Sequence, residues 1–263
     1  MRLDWEVAKR AFRRWSTYRA ATVAGIFTNT VFGFIQAYVL LAVYRQRDEI
    51  GGFDVTDALT FAFVTQGFLM MVWVFNWTEI AERVRTGDVI TDLYRPVDFQ
   101  RYWLAQDLGR ATFHALARGV PPYLFGSLVF DLRVTTDPLA IAVFPLTCVL
   151  AVVISFAIRF MINLLSFWLL DIRGPNQTLM VVWLFLSGFI LPITFFPDWL
   201  EAFARATPFA AIVQLPVEVI LGKHDSGAMA AVVAVQVAWA VVLLAAGRRV
   251  LAAATHKVVV QGG

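Results

Sequence analysis

Long apolar runs alternate with short charged segments along this chain, a pattern that is typical of a bundle of membrane-spanning helices. The first run, 20–44, contains no charged residue over 25 positions. A helix of that length rises about 1.5 Å per residue and crosses a hydrocarbon core about 30 Å thick. Further spans are predicted at 58–78, 112–130, 138–170, 178–194 and 228–247. We therefore expect an all-α integral membrane protein with six transmembrane helices.

The third predicted span is the least regular. Only 119–130 is uncharged, which is too short to cross a membrane, so the span has to begin near Thr112 and include His114 and Arg118. A charge at that depth is expected to snorkel towards the headgroups or to face the interior of the bundle. Two adjacent prolines within the span predict a bend in this helix.

The fourth predicted span is longer than a membrane requires. A helix over all of 138–170 would be about 50 Å long, so we expect it either to tilt strongly and project from the membrane or to break near 155–159. Arg159 interrupts its apolar sequence. This arginine is expected to face an internal polar path or to form a structural ion pair.

Basic residues are concentrated near both ends of the chain. Residues 1–19 hold six basic residues against two acidic ones, and their apolar positions recur at helical spacing. This predicts an amphipathic helix on the anionic cytoplasmic leaflet, with a frayed tail of topological anchors as the alternative. Arg248, Arg249 and Lys257 follow the last span. Both termini are therefore predicted to be cytoplasmic, which requires an even number of spans.

The longest polar stretch, 79–110, is cytoplasmic by this topology. Within it, a short helix is predicted to begin at 86–88 and to end near Pro96. Its apolar positions form one stripe, made of Val89, Ile90, Leu93 and Tyr94. The helix is too short to span a membrane and its stripe is unfavourable in water, so we expect it to dock onto another surface.

A second unusual stretch, 186–223, is apolar but interrupted by prolines. These are Pro192, Pro197, Pro208 and Pro216. Because proline lacks a backbone N–H and clashes with the preceding turn, the stretch cannot be one straight helix. Irregular backbone is not stable against lipid. We predict that residues 195–223 form short re-entrant helices, which act as a hinged cap on one side of the bundle.

Composition excludes most other classes of protein. With 59% hydrophobic and 16% charged residues, the chain lacks the charged surface of a soluble domain. No basic stripe indicates nucleic-acid binding, and a single cysteine, Cys148, leaves no internal disulfide. Motifs for a phosphate-binding loop, a metal site or a serine nucleophile are absent. We therefore expect no catalytic residues, no metal and no cofactor bound by this chain, so any work has to be powered through its cytoplasmic face.

The order of these parts resembles one known family. A basic amphipathic helix and two spans precede the segment RVRTGDVITDLYRP at 83–96. Three more spans lead to LSGFILP at 186–192, FPDWL at 196–200 and TPF at 207–209, before the last span. This arrangement is similar to a permease of the type-2 ATP-binding cassette (ABC) exporter family, in its bacterial branch. The resemblance extends over nearly the whole chain.

The resemblance implies one transmembrane permease domain over 1–263 that exports an amphipathic, lipid-like, drug-like or glycan cargo across the bacterial cytoplasmic membrane. Members of the family are half-transporters that pair with a second permease, as homodimers or heterodimers, among membrane lipids. Two separate ABC ATPase subunits bind below and use ATP and Mg. A non-transporting scaffold or immunity protein is an alternative. An intramembrane enzyme that uses His114, Arg118 or Arg159 is disfavoured, because no acidic partner lies within the predicted spans.

The resemblance also assigns candidate site residues. The ATPase-coupling helix corresponds to Gly87, Pro96 and the residues between them, with Val89, Ile90, Leu93 and Tyr94 as the docking face and Arg83, Arg85, Asp88, Asp92 and Arg95 as rim charges. The outer gate corresponds to Ser187, Gly188, Pro192, Pro197, Trp199, Pro208 and Phe209. The candidate pathway residues are Asn29, Gln36, Gln66, Arg118 and Arg159. A loop helix lying on the membrane and a plain kinked helix end stay open as alternatives for the first two sets.

Overall fold

The computed structural model describes residues 2–72, 77–169 and 171–257 of a chain that is mainly helical. Its α-helices in this part are α1 (Arg2–Ser16), α2 (Arg19–Val43), α3 (Val55–Met71), α4 (Glu79–Thr86), α5 (Val89–Leu93), α6 (Phe99–His114), α7 (Val120–Ser127), α8 (Pro138–Leu164), α9 (Arg173–Leu186), α10 (Asp198–Arg205), α11 (Gln214–Ile220) and α12 (Ser226–Thr255). A short antiparallel hairpin, β1 (Glu49–Ile50) and β2 (Phe53–Asp54), joins α2 to α3. Residues 73–76 of the second predicted span lie outside the described part.

Three helical stretches in the described residues are long and apolar enough to cross a membrane. They are Arg19–Gln46, Pro138–Phe167 and Ser226–Thr255, and Val55–Met71 is a shorter apolar helix. This architecture agrees with the all-α membrane fold expected from the sequence.

The third predicted span belongs to a longer helical rod. Helix α6 begins at Phe99, well before 112, because the Asp98 carboxylate accepts the backbone N–H of Arg101 at 2.7 Å and caps the helix. Residues Ala115–Gly119 form a π-helical turn before α7. Two prolines in the first turns of α7 cannot donate backbone hydrogen bonds, which accounts for the irregular turn at this point. The polar stretch that ends at 110 therefore includes the first part of this rod.

Helix α8 runs unbroken to Leu164, so the break considered near 155–159 does not occur. Its polar side chains bond to neighbouring elements: the Ser155 hydroxyl donates to the Val72 carbonyl at 2.7 Å, and the Arg159 guanidinium donates to Asp107 at 2.7 Å. The 27-residue helix is about 40 Å long, which exceeds the hydrocarbon core and leaves one end to project from it.

The last two predicted spans have different boundaries in the structure. Helix α9 ends at Leu186, earlier than predicted, because Gly188 has a φ of +82°, in the left-handed region that favours glycine. Helix α12 extends beyond 228–247 at both ends. It begins after Asp225, whose carboxylate caps the helix, and continues to Thr255.

One side of the bundle, which we call the α1 side, carries α1, α4 and α5. Helix α1 lies along α6, and the carboxylate of Asp4 forms an ion pair with Arg101. Arg14 of α1 lies 3.6 Å from the carboxylate of Glu79 at the start of α4. The amphipathic helix and the predicted coupling segment therefore meet on the same side.

The other side, which we call the cap side, carries the hairpin and residues 193–224, the cap. Lys223 at the end of the cap forms an ion pair with Asp57 in the first turn of α3. The backbone N–H of Thr135, in the loop before α8, donates to the Ile220 carbonyl of α11 at 2.8 Å. These contacts join the cap to the start of α3 and to the loop before α8.

The main hydrophobic core lies between α3, α8 and α11. Phe61 and Phe68 from α3 meet Ile154 of α8 and Val217 of α11, and all four side chains are buried. Although it contains Pro216, the cap is therefore packed into the protein core through α11 and is not a surface loop.

Candidate functional site

The predicted coupling segment consists of two short helices joined at a glycine. Helix α4 ends at Thr86, and the next residue, Gly87, has a φ of +82°, the left-handed conformation common after a helix C-terminus. Helix α5 follows at once and ends before Pro96, in agreement with the helix bounds predicted from the sequence. The segment therefore makes a tight elbow on the α1 side of the protein.

The apolar stripe of this segment packs mostly inwards. Val89 is buried, and Ile90 and Leu93 are half-buried against the aromatic cluster of Trp77, Phe99 and Trp103. Val89 therefore covers the protein's own core, and Ile90 and Leu93 cover it with part of their surface. The sequence pattern gives the stripe but does not tell which surface covers it. Tyr94, which is 78% exposed, is the member of the stripe that points into solvent.

Asp92 is not a rim charge. It is 4% exposed, and its carboxylate lies 2.8 Å from Arg83 and 3.3 Å from Arg95. Because a buried carboxylate requires a charge partner, these two arginines stabilise the elbow from its edges. The outer surface of the elbow is formed by exposed residues, which include Arg85, Gly87, Asp88, Thr91, Tyr94, Arg95 and Pro96.

Asn163 of α8 joins the elbow to the long apolar helix. Its amide oxygen accepts the backbone N–H of Ala81 at 3.1 Å, and its amide nitrogen donates to the Trp77 carbonyl at 2.7 Å. The side chain is fully buried. Asn163 therefore holds α8 to the first turn of α4 and to the residues just before it. Sequence analysis missed this residue, although an asparagine within an otherwise apolar stretch was the available signal.

Arg159, a predicted pathway residue, lies in a buried ion-pair cluster. Asp107 of α6 accepts from Arg159 at 2.7 Å and from Arg110 at 2.8 Å. Arg110 also donates to the Met71 carbonyl at 2.9 Å, which satisfies a C-terminal carbonyl of α3. Of the two roles predicted for Arg159, a structural ion pair or facing an internal polar path, the structure supports the ion pair. An acidic partner does exist, contrary to the sequence argument, because the helix that carries Asp107 begins before the predicted span.

An open groove of about 880 Å³ runs along α2, between α3 and the end of α9. It extends from Ala21 to Leu40, about 28 Å along the helix axis. Most of its wall is apolar, and Phe32 and Ile35 are more than half exposed there. The remaining predicted pathway residues, Asn29, Gln36, Gln66 and Arg118, all line this groove.

Three of these side chains form a hydrogen-bonded ladder that connects α2 and α3 to the start of the cap. The Asn29 side-chain amide donates to the Gln66 backbone carbonyl at 3.1 Å, and the Gln66 side-chain amide donates to the side-chain oxygen of Gln36 at 3.1 Å. Gln36 in turn donates to the backbone carbonyls of Phe189 and Ile190 at 3.2 and 3.0 Å. The first predicted span and the predicted outer gate are therefore directly linked.

The predicted gate begins where α9 ends. The Ser187 hydroxyl accepts the backbone N–H of Phe189 at 3.3 Å, across the left-handed Gly188. The remaining gate residues lie farther along the cap: Pro192 precedes a 3₁₀ turn, Pro197 precedes α10, Trp199 is 72% exposed on α10, and Pro208 and Phe209 are half-buried before α11. A plain kinked helix end does not describe this segment, since it continues into two further helices.

Gln214 and Glu218, which sequence analysis missed, fix the cap internally. The Gln214 side chain accepts the Ile193 backbone N–H at 3.1 Å and donates to Glu218 at 2.9 Å. Glu218 also accepts from Arg205 at 2.6 Å and lies 3.1 Å from His224. Burial raises the pKa of Glu218, but the hydrogen bonds from these partners outweigh it and lower the pKa to about 2.

His114 lies away from the groove. Its ring is 1% exposed and packs edge-on against Trp15 of α1, with ring centroids 4.9 Å apart. Among the described residues no group of histidine, cysteine or acidic side chains is arranged to hold a metal ion. The geometry of His114 therefore indicates packing of α1 against the bundle.

Comparison with known families gives one result. The family model described as ABC-2 family transporter protein matches residues 27–262. Neither the comparison with curated proteins nor the comparison with solved structures gives a match. The matched residues contain the elbow, the buried ion-pair cluster, the hydrogen-bonded ladder and the cap.

Proposed function

The chain belongs to the ABC-2 transporter family, and from this premise we propose that it is the membrane permease subunit of an ABC exporter. Separate ATPase subunits, which bind ATP and Mg, supply the energy. The observation that carries the proposal is the buried link from Asn163 of α8 to Ala81 and Trp77. It gives a force applied at the elbow a rigid route into the bundle.

In this proposal the ATPase binds the exposed surface of the elbow. Tyr94 is the large aromatic side chain on this surface, and Arg85 and Arg95 are exposed on the same segment. Tyrosine and arginine are among the residues enriched at interaction hot spots. Val89 and Ile90 support the elbow from below and contribute indirectly.

The proposed topology has six crossings in a bacterial cytoplasmic membrane, with the α1 side facing the cytoplasm. Helices α2, α3, the rod α6–α7, α8, α9 and α12 each connect the α1 side to the cap side. The first and last of these place both ends of the chain on the α1 side, where basic residues are concentrated. The cap then lies at the outer surface, at the exit of the path.

The groove along α2 is the proposed cargo path. It is open to one flank of the bundle, so a second permease, identical or related, is needed to close it. Gly25 and Gly33 lie on the buried side of α2 and pack against other parts of the same chain, so the proposed seam is formed by the exposed positions of the helix. Phe32, Ile35 and Val39 are exposed on α2 and line the groove, where they offer an apolar wall to an amphipathic cargo.

Two alternatives compete with this proposal. An intramembrane enzyme is not favoured by the Asp107 cluster, because its carboxylate is held by two arginines and the cavity that it lines, of about 30 Å³, has room for little more than a water molecule. A non-transporting scaffold that recruits partners would use the same elbow but would have no need for the ladder from Gln36 to the start of the cap.

Co-purification with the ATPase tests the proposal. The full-length permease is captured from membranes that also contain its cassette ATPase, in wild-type form and as Tyr94→Asp and Tyr94→Phe. The proposal requires that the ATPase accompanies the wild type and the phenylalanine variant and is lost from the aspartate variant. Absence of an ATPase from all three preparations, with the permease correctly inserted, would refute the exporter assignment.

A further inference from the structure

Arg118 differs from the other arginines inside the helical bundle. Arg110 and Arg159 share the carboxylate of Asp107. Among the described residues, no carboxylate forms an ion pair with Arg118, whose terminal nitrogen donates to the Ala21 carbonyl at 2.7 Å. Its Nε is buried and has no partner. A cation without a carboxylate partner among the described residues is thus present in the wall of the groove.

The guanidinium has a fitted position on α2. A Cβ atom added at Gly25 would overlap the guanidinium carbon and nitrogens of Arg118. Glycine at this position therefore lets the flat cationic group lie directly against the backbone of α2. The absence of a side chain at Gly25 and the contact with Ala21 hold the charge at the α1 end of the groove.

The rest of the groove has a different character. From Gly25 to Val39 it extends about 20 Å along α2, and its exposed wall on this helix is made by Phe32, Ile35 and Val39. A cation at one end of an apolar channel fits a molecule with an acidic head and an apolar tail. Arginine is well suited to such a head, because its planar donors match the oxygens of a phosphate or carboxylate.

We propose that Arg118 and Gly25 form an oxyanion-binding subsite, and that the groove takes an anionic amphiphile whose phosphate, carboxylate or sulfate group pairs with Arg118. This inference rests on the proposed function, since it specifies the chemical class of the cargo. The acidic head comes either from a membrane lipid of the α1-side leaflet or from a soluble amphiphile, and both sources present the same oxyanion to the site.

Equilibrium binding to the full-length permease alone, in neutral phosphatidylcholine nanodiscs, tests this inference. The probes are dodecyl phosphate as the soluble amphiphile, phosphatidylglycerol as the lipid, and zwitterionic dodecylphosphocholine as the reference. Saturable binding of either anionic probe, with weaker binding of the reference, is expected, and the probe that binds identifies the source. Failure of both anionic probes to bind, or equal binding of the reference, would overturn the inference.

Variants assign the binding to this site. Arg118→Gln is expected to weaken binding of the anionic probe about tenfold or more, as loss of a charged hydrogen bond does, and Arg118→Lys is expected to restore part of it. Gly25→Ala keeps every charge but displaces the guanidinium, so it is expected to weaken binding as well. The atoms that an added Cβ would meet belong to the flexible side chain of Arg118, so this variant is expected to fold. If Arg118→Gln does not fold, Gly25→Ala decides whether the subsite exists.

The matched control is Arg19→Gln, which removes an exposed positive charge from the same end of α2. It is expected to leave the affinity unchanged. If Arg19→Gln weakens binding as much as Arg118→Gln, or if Gly25→Ala has no effect, the attraction is a diffuse surface charge and the subsite does not exist. The assay needs no ATPase, so failure here, with ATPase co-purification intact, removes this inference and leaves the exporter assignment in place.

Discussion

The buried side-chain amide of Asn163 accepts the backbone N–H of Ala81 at 3.1 Å, and this bond attaches the elbow to helix α8. Replacing Asn163 by leucine keeps the volume but leaves this N–H and the Trp77 carbonyl without partners, at about 1–3 kcal/mol for each buried group. We expect Asn163→Leu to retain the ATPase but to transport less cargo per ATP hydrolysed. The measurement is the ratio of transport to hydrolysis in proteoliposomes.

Ser166→Ala is the control for that variant. The Ser166 hydroxyl lies in the 3₁₀ turn just after α8 and donates to the Asn163 backbone carbonyl at 2.7 Å, so its loss does not touch the elbow. An unchanged ratio for Asn163→Leu, or an equal fall for Ser166→Ala, would show that the link does not transmit force.

The ladder at the start of the cap gives a second prediction. A glutamate at position 36 has nearly the same size as Gln36, but an ionised carboxylate cannot donate to the Phe189 and Ile190 carbonyls. We expect Gln36→Glu to loosen the cap and to raise the amide hydrogen exchange of residues 187–195. Gln177→Glu, at an exposed position of α9, makes the same chemical change and should have no such effect. Equal exchange in both variants would exclude a holding role for Gln36.

The pH dependence of stability gives a third prediction. The pKa of Glu218 is lowered from 4.5 to about 2, so the charged form stabilises the fold. That stabilisation is complete above pH 4.5 and is lost as the pH falls towards 2. The thermal unfolding temperature of the wild type is expected to decrease as the pH is lowered from 4.5 to 2. That of Glu218→Gln is expected to be low already at pH 7 and to change less with pH. Glu201→Gln, which removes another Arg205 partner, is the control. Parallel pH curves for wild type and Glu218→Gln would contradict this assignment.

The packing of α1 gives a fourth prediction. A Cβ atom at Gly109 of α6 would collide with the backbone carbonyl of Ala8, which cannot move independently of α1. We expect Gly109→Ala to displace α1 and to increase proteolysis of residues 2–16 in detergent. Gly174→Ala, where an added Cβ meets no atom within 4 Å, is the matched control. If α1 stays protected in Gly109→Ala, its position along α6 is incorrect.

The helices themselves were largely predictable, because uncharged runs determine where a chain is stable in lipid. Helix α2 matches its predicted run closely, and Pro96 correctly limits α5. Boundaries were less predictable where polar groups satisfy one another in the interior. The charge of Asp107 suggested a polar stretch, yet its two arginine partners allow it to lie in a buried helix.

The sequence indicated which polar residues of the first two spans belong together, but not how their side chains are bonded. The polar residues Asn29, Gln36 and Gln66 were selected as path-lining, and the structure brings them together in one ladder. Their partners are backbone carbonyls, and in one case the Gln36 side chain, at distant positions in the sequence, which no local pattern specifies. The apolar stripe of α5 was also recognised, but a stripe gives no information about whether its own protein or a partner covers it, and here its own core does so at Val89.

We propose that this chain moves cargo only when a separate ATPase acts on its elbow. Transport of a fluorescent anionic lipid is measured in proteoliposomes that contain the permease, with and without its purified cassette ATPase and ATP. We expect ATP-dependent movement when both proteins are present and none with the permease alone. Movement driven by the permease alone, or movement that is no faster when the ATPase and ATP are present, would contradict this proposal.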